Sequence, residues 1–352
     1  MTEKSYRIGI AGFDHWYIAR GVVDSAATSA RAEVVAVAHR DEATIAQYAK
    51  EKGIPHVTTD YLSLATRDDV DVLVTACPTS ENVALCLAAA ANGKHVVSVK
   101  PCAMTVADAD RLVAGMRAAG VVFYPFESYG RAGAQHPFVK QWLSEGKIGT
   151  PVSATIIQRA TLGGASQDWP GRKNDNTWWR NPRMVFGGGW LDHAIYQIDM
   201  LRYLLDDEVA RISGVTKTLA HPELQKPLED FGVAIVEFKK GLVATIEVTW
   251  HAPPSGGLTQ TQIVGTEGQI VYDPTVTGRV SVSGNFDGPT GGAWSSFAPP
   301  WRGGRQPLDH VLDCIEGKAT PLATVEDARA NVAACLAFYE AARTGQAVTL
   351  TS

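Results

Sequence analysis

The chain has 352 residues, of which 45% are hydrophobic and 20% charged, with a formal net charge of -5. That length accommodates two domains with a core each, and the mild acidity offers nucleic acid no electrostatic attraction. The five cysteines form no CxxC pair, which favours reduced thiols in a cytoplasmic protein over a disulfide framework or a metal site. The start of the chain has no apolar segment of signal-peptide type. The longest nearly uncharged stretch, residues 70–93, contains Asp71, Glu81 and Pro78 and does not read as a membrane span.

In chain order, residues 6–124 alternate short apolar strands with helical stretches. Arg7–Ala11 is the first predicted strand and Val34–Ala38 the second, followed by Asp71–Ala76, His95–Val99 and Val121–Tyr124. Alanine-rich amphipathic segments lie between them at Glu42–Lys52, Asn82–Asn92 and Val106–Ala119. Fully apolar strands alternating with helices predict a parallel sheet covered on both faces. After Ser128 the rhythm changes. A helix near His136–Glu145 leads to a strand at Val152–Arg159, then to a long loop rich in Gly, Trp, Asn and Arg, then to a helix over Gly189–Leu205. Alternating runs follow at Ile212–Thr218, Val233–Phe238, Leu242–Trp250, Gln260–Val264 and Gln269–Tyr272, with Gly-containing turns at hairpin distances. They predict a mostly antiparallel sheet. Residues 284–305 read as a surface loop, and the chain closes with a helix over Val325–Arg343 ended by Gly345.

A parallel sheet that begins at residue 7 invites a dinucleotide reading, tested by Gly-x-Gly-x-x-Gly between the first strand and helix. Here the turn runs Gly12-Phe-Asp14-His-Trp-Tyr17. Only the first glycine survives; an ionised Asp14 would face phosphate charge, and Tyr17 would hold the helix away from the strand. Taken alone, the turn fits an ordinary strand–helix connection better. At the end of the second strand stand His39-Arg40, where Arg40 pairs with a 2′-phosphate in one reading, a lean toward NADP, and is a solvated helix-start charge in the other.

Lys100-Pro101 closes the fourth predicted strand, and Asp192 and Tyr196 follow the triplet Gly187-Gly188-Gly189. The two latter residues, four apart on a helix, share a face. Oxidation of a secondary alcohol needs a base for the hydroxyl proton, and free Tyr and Lys titrate near about 10. An ammonium beside a phenol favours the phenolate and brings the pair toward working range. Lys100, Asp192 and Tyr196 are therefore the candidate catalytic residues. A snorkelling Lys100 and a core Tyr196 are the structural alternatives. Asp199 reads as a structural pairing residue. His193 lies off the shared face, and no ligand spacing supports a metal site.

With these pieces in place, the chain resembles the glucose–fructose oxidoreductase/inositol dehydrogenase (Gfo/Idh/MocA) family over essentially its whole length. The similarity rests on Val72–Pro78 with Asn92-Gly-Lys-His-Val-Val-Ser-Val-Lys-Pro101, on Lys140–Val152, and on Gly187-Gly-Gly-Trp-Leu-Asp192-His-Ala-Ile-Tyr196-Gln-Ile-Asp199. Four departures stand out: Val99 in place of the Glu of Glu-Lys-Pro, the altered glycine turn, Asn82 where His is common, and Tyr196 where His is usual, with the segment before Asp192 one residue short.

The resemblance implies an N-terminal α/β Rossmann domain over residues 1–124. It implies an α+β C-terminal domain over 125–352 with a large, mostly antiparallel open sheet, and a closing helix (325–343) that packs back on the first domain. It also implies NAD or NADP as cofactor, held by Gly12, Phe13, Asp14, His15, Trp16, His39, Arg40, Cys77, Pro78, Thr79, Lys100 and Pro101. Hydride would move to or from a sugar, cyclitol or similar polyol, with no metal. The substrate residues are Glu127, Asn176, Trp178, Trp179, Arg180 and His193, the tryptophans offering faces to sugar C–H surfaces. Homodimers or homotetramers through the second-half sheet are implied, with neither membrane nor nucleic acid as partner. The competing readings are a lyase or hydrolase on the same scaffold, with or without transient oxidation, and a cofactor-free binding protein whose phosphate turn is filled by Asp14, Trp16 and Tyr17.

Overall fold

The computed structural model describes residues 5–133, 135–162, 177–253, 256–286, 294–299 and 307–351. The chain divides into two compact units, Met1–Tyr129 with Ser166–Val185 and Arg305–Val332, and Gly130–Ala165 with Phe186–Gly304 and Ala333–Ser352.

The first unit is built on strands β1 (Tyr6–Ala11), β2 (Ala32–Ala38), β3 (His56–Thr58), β4 (Val72–Thr75), β5 (His95–Ser98) and β6 (Phe123–Pro125), in the order β3-β2-β1-β4-β5-β6. Every pairing is parallel. Between them run α1 (Trp16–Ala27), α2 (Glu42–Lys52), α3 (Tyr61–Thr66), α4 (Thr79–Ala91) and α5 (Val106–Ala119). Ile8, Ile10, Val72 and Val74 are fully buried, as their unbroken apolar runs require of a sheet covered on both sides. Local chemistry sets the helix limits. Asp41 accepts from Thr44 N–H and Asp60 from Leu62 and Ser63 N–H at the starts of α2 and α3, and Gly53 and Gly120 end α2 and α5 in left-handed conformation. Strand order reverses between β1 and β4, the switch point at which α/β sheets bind ligands outside the carboxyl ends of their strands.

The second unit carries α6 (Tyr129–Ala132, its first residue counted with the first unit), α7 (Gln135–Ser144), β7 (Pro151–Arg159) and α8 (Gly189–Leu205). Then come β8 (Val209–Lys217), β9 (Phe231–Phe238), β10 (Val243–Thr249), β11 (Leu258–Gly265), β12 (Gln269–Asp273), β13 (Arg279–Ser283) and β14 (Ser295–Phe297). Helices α9 (Pro307–Ile315) and α10 (Val325–Thr344) and the short strand β15 (Val348–Thr349) close the chain. The sheet order is β14-β13-β12-β11-β7-β10-β9-β8-β15. Only β7 and β10 pair in parallel; the other pairings are antiparallel. The mostly antiparallel expectation therefore holds. The surface-loop reading of residues 284–305 needs correction, because Ser295–Phe297 hydrogen-bonds to β13 as an edge strand. Helix α9 and the start of α10 belong to the first unit: Leu308, Val311 and Leu312 enter its core, while Glu326 and Arg329 pair with Arg117 and Asp110 of α5.

Candidate active site

The turn after β1 is stitched to both neighbouring strands. Gly12 N–H donates to Ala38 O at 2.9 Å and His15 N–H to Ala76 O at 3.0 Å. Gly12 has φ +93°, and a Cβ there would lie 2.8 Å from the Ala76 carbonyl oxygen, so no other residue fits. Asp14 accepts from the Tyr61 hydroxyl at 3.0 Å and lies 3.5 Å from Arg40 Nη1. Burial pushes its carboxyl up to about 6, against the opposing pull of Arg40 and Tyr61. His15 is fully buried; its Nδ1 lies 3.1 Å from the Tyr17 hydroxyl, and its ring packs on Trp178 and Trp179 at centroid distances of 4.7 and 5.6 Å. Trp178 Nε1 donates to the Asp14 carbonyl at 3.4 Å. Trp16 faces Arg20, whose Cζ is 5.8 Å from its ring centroid.

Phe13, Cys77, Pro78 and Thr79, all sequence-derived cofactor residues, are buried in the first unit. Phe13 packs edge-on against Tyr48 and His39, and His39 Nδ1 accepts the Asp41 N–H. Cys77 is fully buried, which pushes its thiol well above its ordinary range. Pro78 is the residue before α4, and the buried Thr79 hydroxyl finds no hydrogen-bond partner among the described residues.

Lys100 follows β5 and is only 1% exposed, its Nζ held 4.5 Å from the centroid of the Trp179 ring. The loop before Pro101 is fixed from below by Asn82. Its amide donates to Ser98 Oγ and the Cys102 carbonyl and its Oδ1 accepts from Thr75, while Thr75 Oγ1 accepts the Val99 N–H. The departure at Asn82 thus has a structural role, and Val99 is fully buried. Glu127 lies in the 3-10 turn Phe126–Ser128, 2% exposed, and its charge adds to burial in raising the Cys102 thiol. Trp178 and Trp179 belong to the 3-10 turn Thr177–Arg180, joined to α4 by Ser80 N–H donating to Met184 O. Their faces are engaged by each other, by His15 and by Lys100. Arg180 is half-buried. Asn176 lies outside the described residues.

In the second unit the glycine triplet is explained by close approach. A Cβ at Gly187 would meet the Tyr339 hydroxyl at 2.2 Å, one at Gly188 the Glu229 carbonyl at 2.2 Å, and one at Gly189 the Asp230 carbonyl at 3.0 Å. Glu229 caps α8 across the fold, accepting from Gly188 N–H at 3.1 Å, Trp190 N–H at 2.9 Å and the Tyr339 hydroxyl at 2.9 Å. Its burial pushes its carboxyl up to about 7 despite those bonds.

The native state therefore holds this proton to higher pH than the unfolded chain, whose carboxyl stays near 4.5. Between the two values unfolding releases protons, so stability falls as pH rises and the loss is complete above about 7. Urea midpoints should decline over that window by the equivalent of about 3 kcal/mol, and Glu229→Gln should flatten the decline; an unchanged slope in the variant would show that other groups carry it.

On α8, Asp192 Oδ2 accepts from Trp250 Nε1 at 3.0 Å and lies 3.3 Å from His193 Nδ1. The His193 ring is 6.3 Å from that of Tyr196. Although adjacent in sequence, His193 thus reaches both neighbours that share the other face. Asp199 forms a buried two-pronged ion pair with Arg131, at 2.7 and 3.0 Å. Trp250 and Glu229 escape sequence reasoning because each acts on a residue far away in the chain, the one hint being the Glu229-Asp230 doublet directly before a strand. Among the described residues no group of three or more His, Cys, Asp or Glu could hold a metal ion, and no helix is long and apolar enough to cross a membrane.

The residues after β1 and β4 fit a dinucleotide. Gly12 lets the turn close tightly on the Ala76–Cys77 backbone, and α1 begins with neither a side-chain cap nor an acidic residue in its first turn, so its positive end favours an anion. The unsatisfied Thr79 hydroxyl stands at the start of α4.

Comparison with known proteins agrees with this geometry. Residues 6–126 match the family model described as "Oxidoreductase family, NAD-binding Rossmann fold", and residues 137–271 match the GFO/IDH/MocA C-terminal domain. The chain is 30% identical to 1,5-anhydro-D-fructose reductase of Ensifer adhaerens, over 95% of this chain and 96% of that protein. It is 22% identical to scyllo-inositol 2-dehydrogenase (NAD(+)) of Bacillus subtilis, over 99% and 97%. Among solved structures, levoglucosan dehydrogenase in complex with NADH and L-sorbose shares the fold with TM-score 0.84 at 20% identity, covering 99% of this chain and 100% of that one. An Asp192 anchored on Trp250, a glycine triplet pressed on Glu229-Asp230 and a buried lysine after β5 thus sit in a chain whose relatives share both halves, and the protein belongs to the GFO/IDH/MocA family of oxidoreductases.

Proposed function

We propose that the protein is a nicotinamide-dependent dehydrogenase or reductase acting on a secondary alcohol, or the corresponding ketone, of a cyclic sugar, anhydrosugar or cyclitol. The observation that carries this reading is the buried ammonium of Lys100. Lysine is seldom fully buried without a role for its amine, and Lys100 Nζ is held over the Trp179 ring directly after β5. The substrate class follows from relatives named for anhydrofructose, levoglucosan and inositol.

A bound nicotinamide supplies the carbon that accepts or gives the hydride. Gly12, Asp14, His15, Trp16, Arg40, Thr79 and Pro101 line the proposed dinucleotide site. Tyr196 takes the proton of the substrate hydroxyl during oxidation and returns it during reduction. Lys100 favours the phenolate and holds the same hydroxyl. Asp192 orients a neighbouring hydroxyl or Lys100, its carboxylate fixed by Trp250. Glu127, Asn176, Arg180 and His193 bind the remaining hydroxyls. Trp178 and Trp179 act chiefly by fixing His15 and Lys100, since those contacts occupy their faces.

The assay is reduced nicotinamide formed from NAD and NADP on a panel of myo- and scyllo-inositol, levoglucosan and 1,5-anhydroglucitol, with the reverse reaction on 1,5-anhydrofructose. Turnover of at least one member is expected; dinucleotide binding without turnover of any would favour the non-redox alternative.

The outward face of the second-unit sheet supports the proposed homo-oligomer. Cross-strand neighbours share a face, and the registers of β8, β9 and β10 put Val215, Val233, Ile235 and Val243 on one side, with Val215 49%, Ile235 48% and Val243 42% exposed. Branched apolar side chains in a row on a broad sheet suit burial against a second copy. Ile235→Glu should shift sedimentation toward the monomer, and an unchanged sedimentation coefficient would exclude this face.

A further inference from the structure

Arg40 stands beyond the carboxyl end of β2, where a Rossmann chain meets the ribose next to the adenine. Its Nη1 lies 3.5 Å from Asp14 Oδ1, its Nη2 pairs with Glu81 Oε1, and its Cζ is 5.1 Å from the centroid of the Tyr61 ring. The Tyr61 hydroxyl in turn donates to Asp14 Oδ2. The turn after β1, the end of β2, the start of α3 and the first turn of α4 thus contribute one guanidinium, two carboxylates and one phenol to a single cluster. In the sequence only the guanidinium is apparent at this position, and it alone leans toward NADP.

We propose that Glu81, acting with Asp14, commits Arg40 to carboxylate partners and thereby makes the chain prefer NAD over NADP. A 2′-phosphate carries a charge of about −1.5 to −2. To reach Arg40 it must displace Glu81 and then lie beside two acidic groups. A ribose 2′-hydroxyl needs only an acceptor, and these carboxylates supply it. In Rossmann domains an acidic residue after the second strand plays this part; here the acid comes from α4 and from the glycine turn instead. The Arg40 and Glu81 side chains are 45% and 36% exposed, so the pair sits at a rim that solvent and ligand reach. An exposed pair of this kind rearranges at small cost, and the preference therefore rests on the charge count around Arg40.

This inference rests on the reading of the first unit as a dinucleotide-binding domain, and calorimetric titration of the full chain with NAD and with NADP tests the two separately. The wild-type protein should bind NAD about tenfold more tightly than NADP, a difference of about 1.4 kcal/mol. Glu81→Gln should erase most of that ratio by strengthening NADP, because Arg40 is then free to take the phosphate in two-pronged fashion. Adding Arg40→Ala to Glu81→Gln should weaken NADP again. An unchanged ratio in Glu81→Gln, or a wild-type preference for NADP, overturns the role of Glu81. Failure of the wild-type chain to bind either dinucleotide overturns the cofactor reading, and the inference with it.

Discussion

Lys100→Met and Tyr196→Phe are each expected to lower kcat by about 10²- to 10⁴-fold, the range that a positioned proton-transfer group contributes. Methionine keeps the length of the lysine stem and loses only the charge. Lys100 is almost wholly buried over Trp179 and methionine fills most of the same space, so the variant should stay folded, and its thermal midpoint is the control that separates lost catalysis from lost structure. The two variants should differ in their pH profiles. In the proposed mechanism the ammonium favours the phenolate of Tyr196, so residual activity in Lys100→Met should rise toward alkaline pH. Tyr196→Phe has no phenol to recover and should show no such rise. Dinucleotide affinity, read from quenching of tryptophan fluorescence, should fall far less than kcat in both. A kcat within threefold of wild type in either variant would remove that residue from the proton path.

Gly188→Ala is expected to cost about 4 kcal/mol of stability, the sum of overpacking and of weakened buried hydrogen bonds. The added methyl would lie 2.2 Å from the Glu229 carbonyl oxygen and 2.8 Å from its nitrogen, and neither is the end of a flexible side chain. The helix start must move to admit it. Doing so pulls Gly188 and Trp190 N–H away from the Glu229 carboxylate and Gly189 N–H away from the Glu229 carbonyl. Since α8 carries Asp192 and Tyr196, activity should drop with stability. Gly21→Ala is the control: it lies within α1, nothing stands within 4 Å of its added methyl, and it should stabilise by about 0.5–1 kcal/mol. Chemical denaturation of the three proteins separates these outcomes. Equal midpoints for Gly188→Ala and wild type would mean that the triplet is not held by contact with Glu229-Asp230.

The chain's periodicities revealed the two-part fold because both sheets obey local rules. Runs such as Val72–Thr75 are buried on both faces, as interior parallel strands must be, whereas Phe231–Phe238 alternates because one face of its sheet is more exposed than the other. What escaped were short strands with no such signature. His56–Thr58 is largely exposed and Ser295–Phe297 has three polar or half-buried positions, so each is defined by its hydrogen bonds to a neighbour and not by its composition. The same division holds at the site. Lys100, Asp192 and Tyr196 stood out through local features: a following proline, a glycine triplet, a four-residue spacing. Their supports did not. Trp250 meets Asp192 across 58 positions of chain, and Glu81 reaches Arg40 across 41 positions. Arg40 shows how much this matters, because the carboxylates of Asp14 and Glu81 that meet it come from other parts of the chain.

The central claim is that Lys100 and Tyr196 handle one proton as a unit, and a double-mutant cycle on kcat tests it most directly. Lys100→Met, Tyr196→Phe and the double variant should show strongly non-additive losses, with the double variant falling little further than the worse single one. Losses that multiply would show two residues acting independently and would contradict the claim.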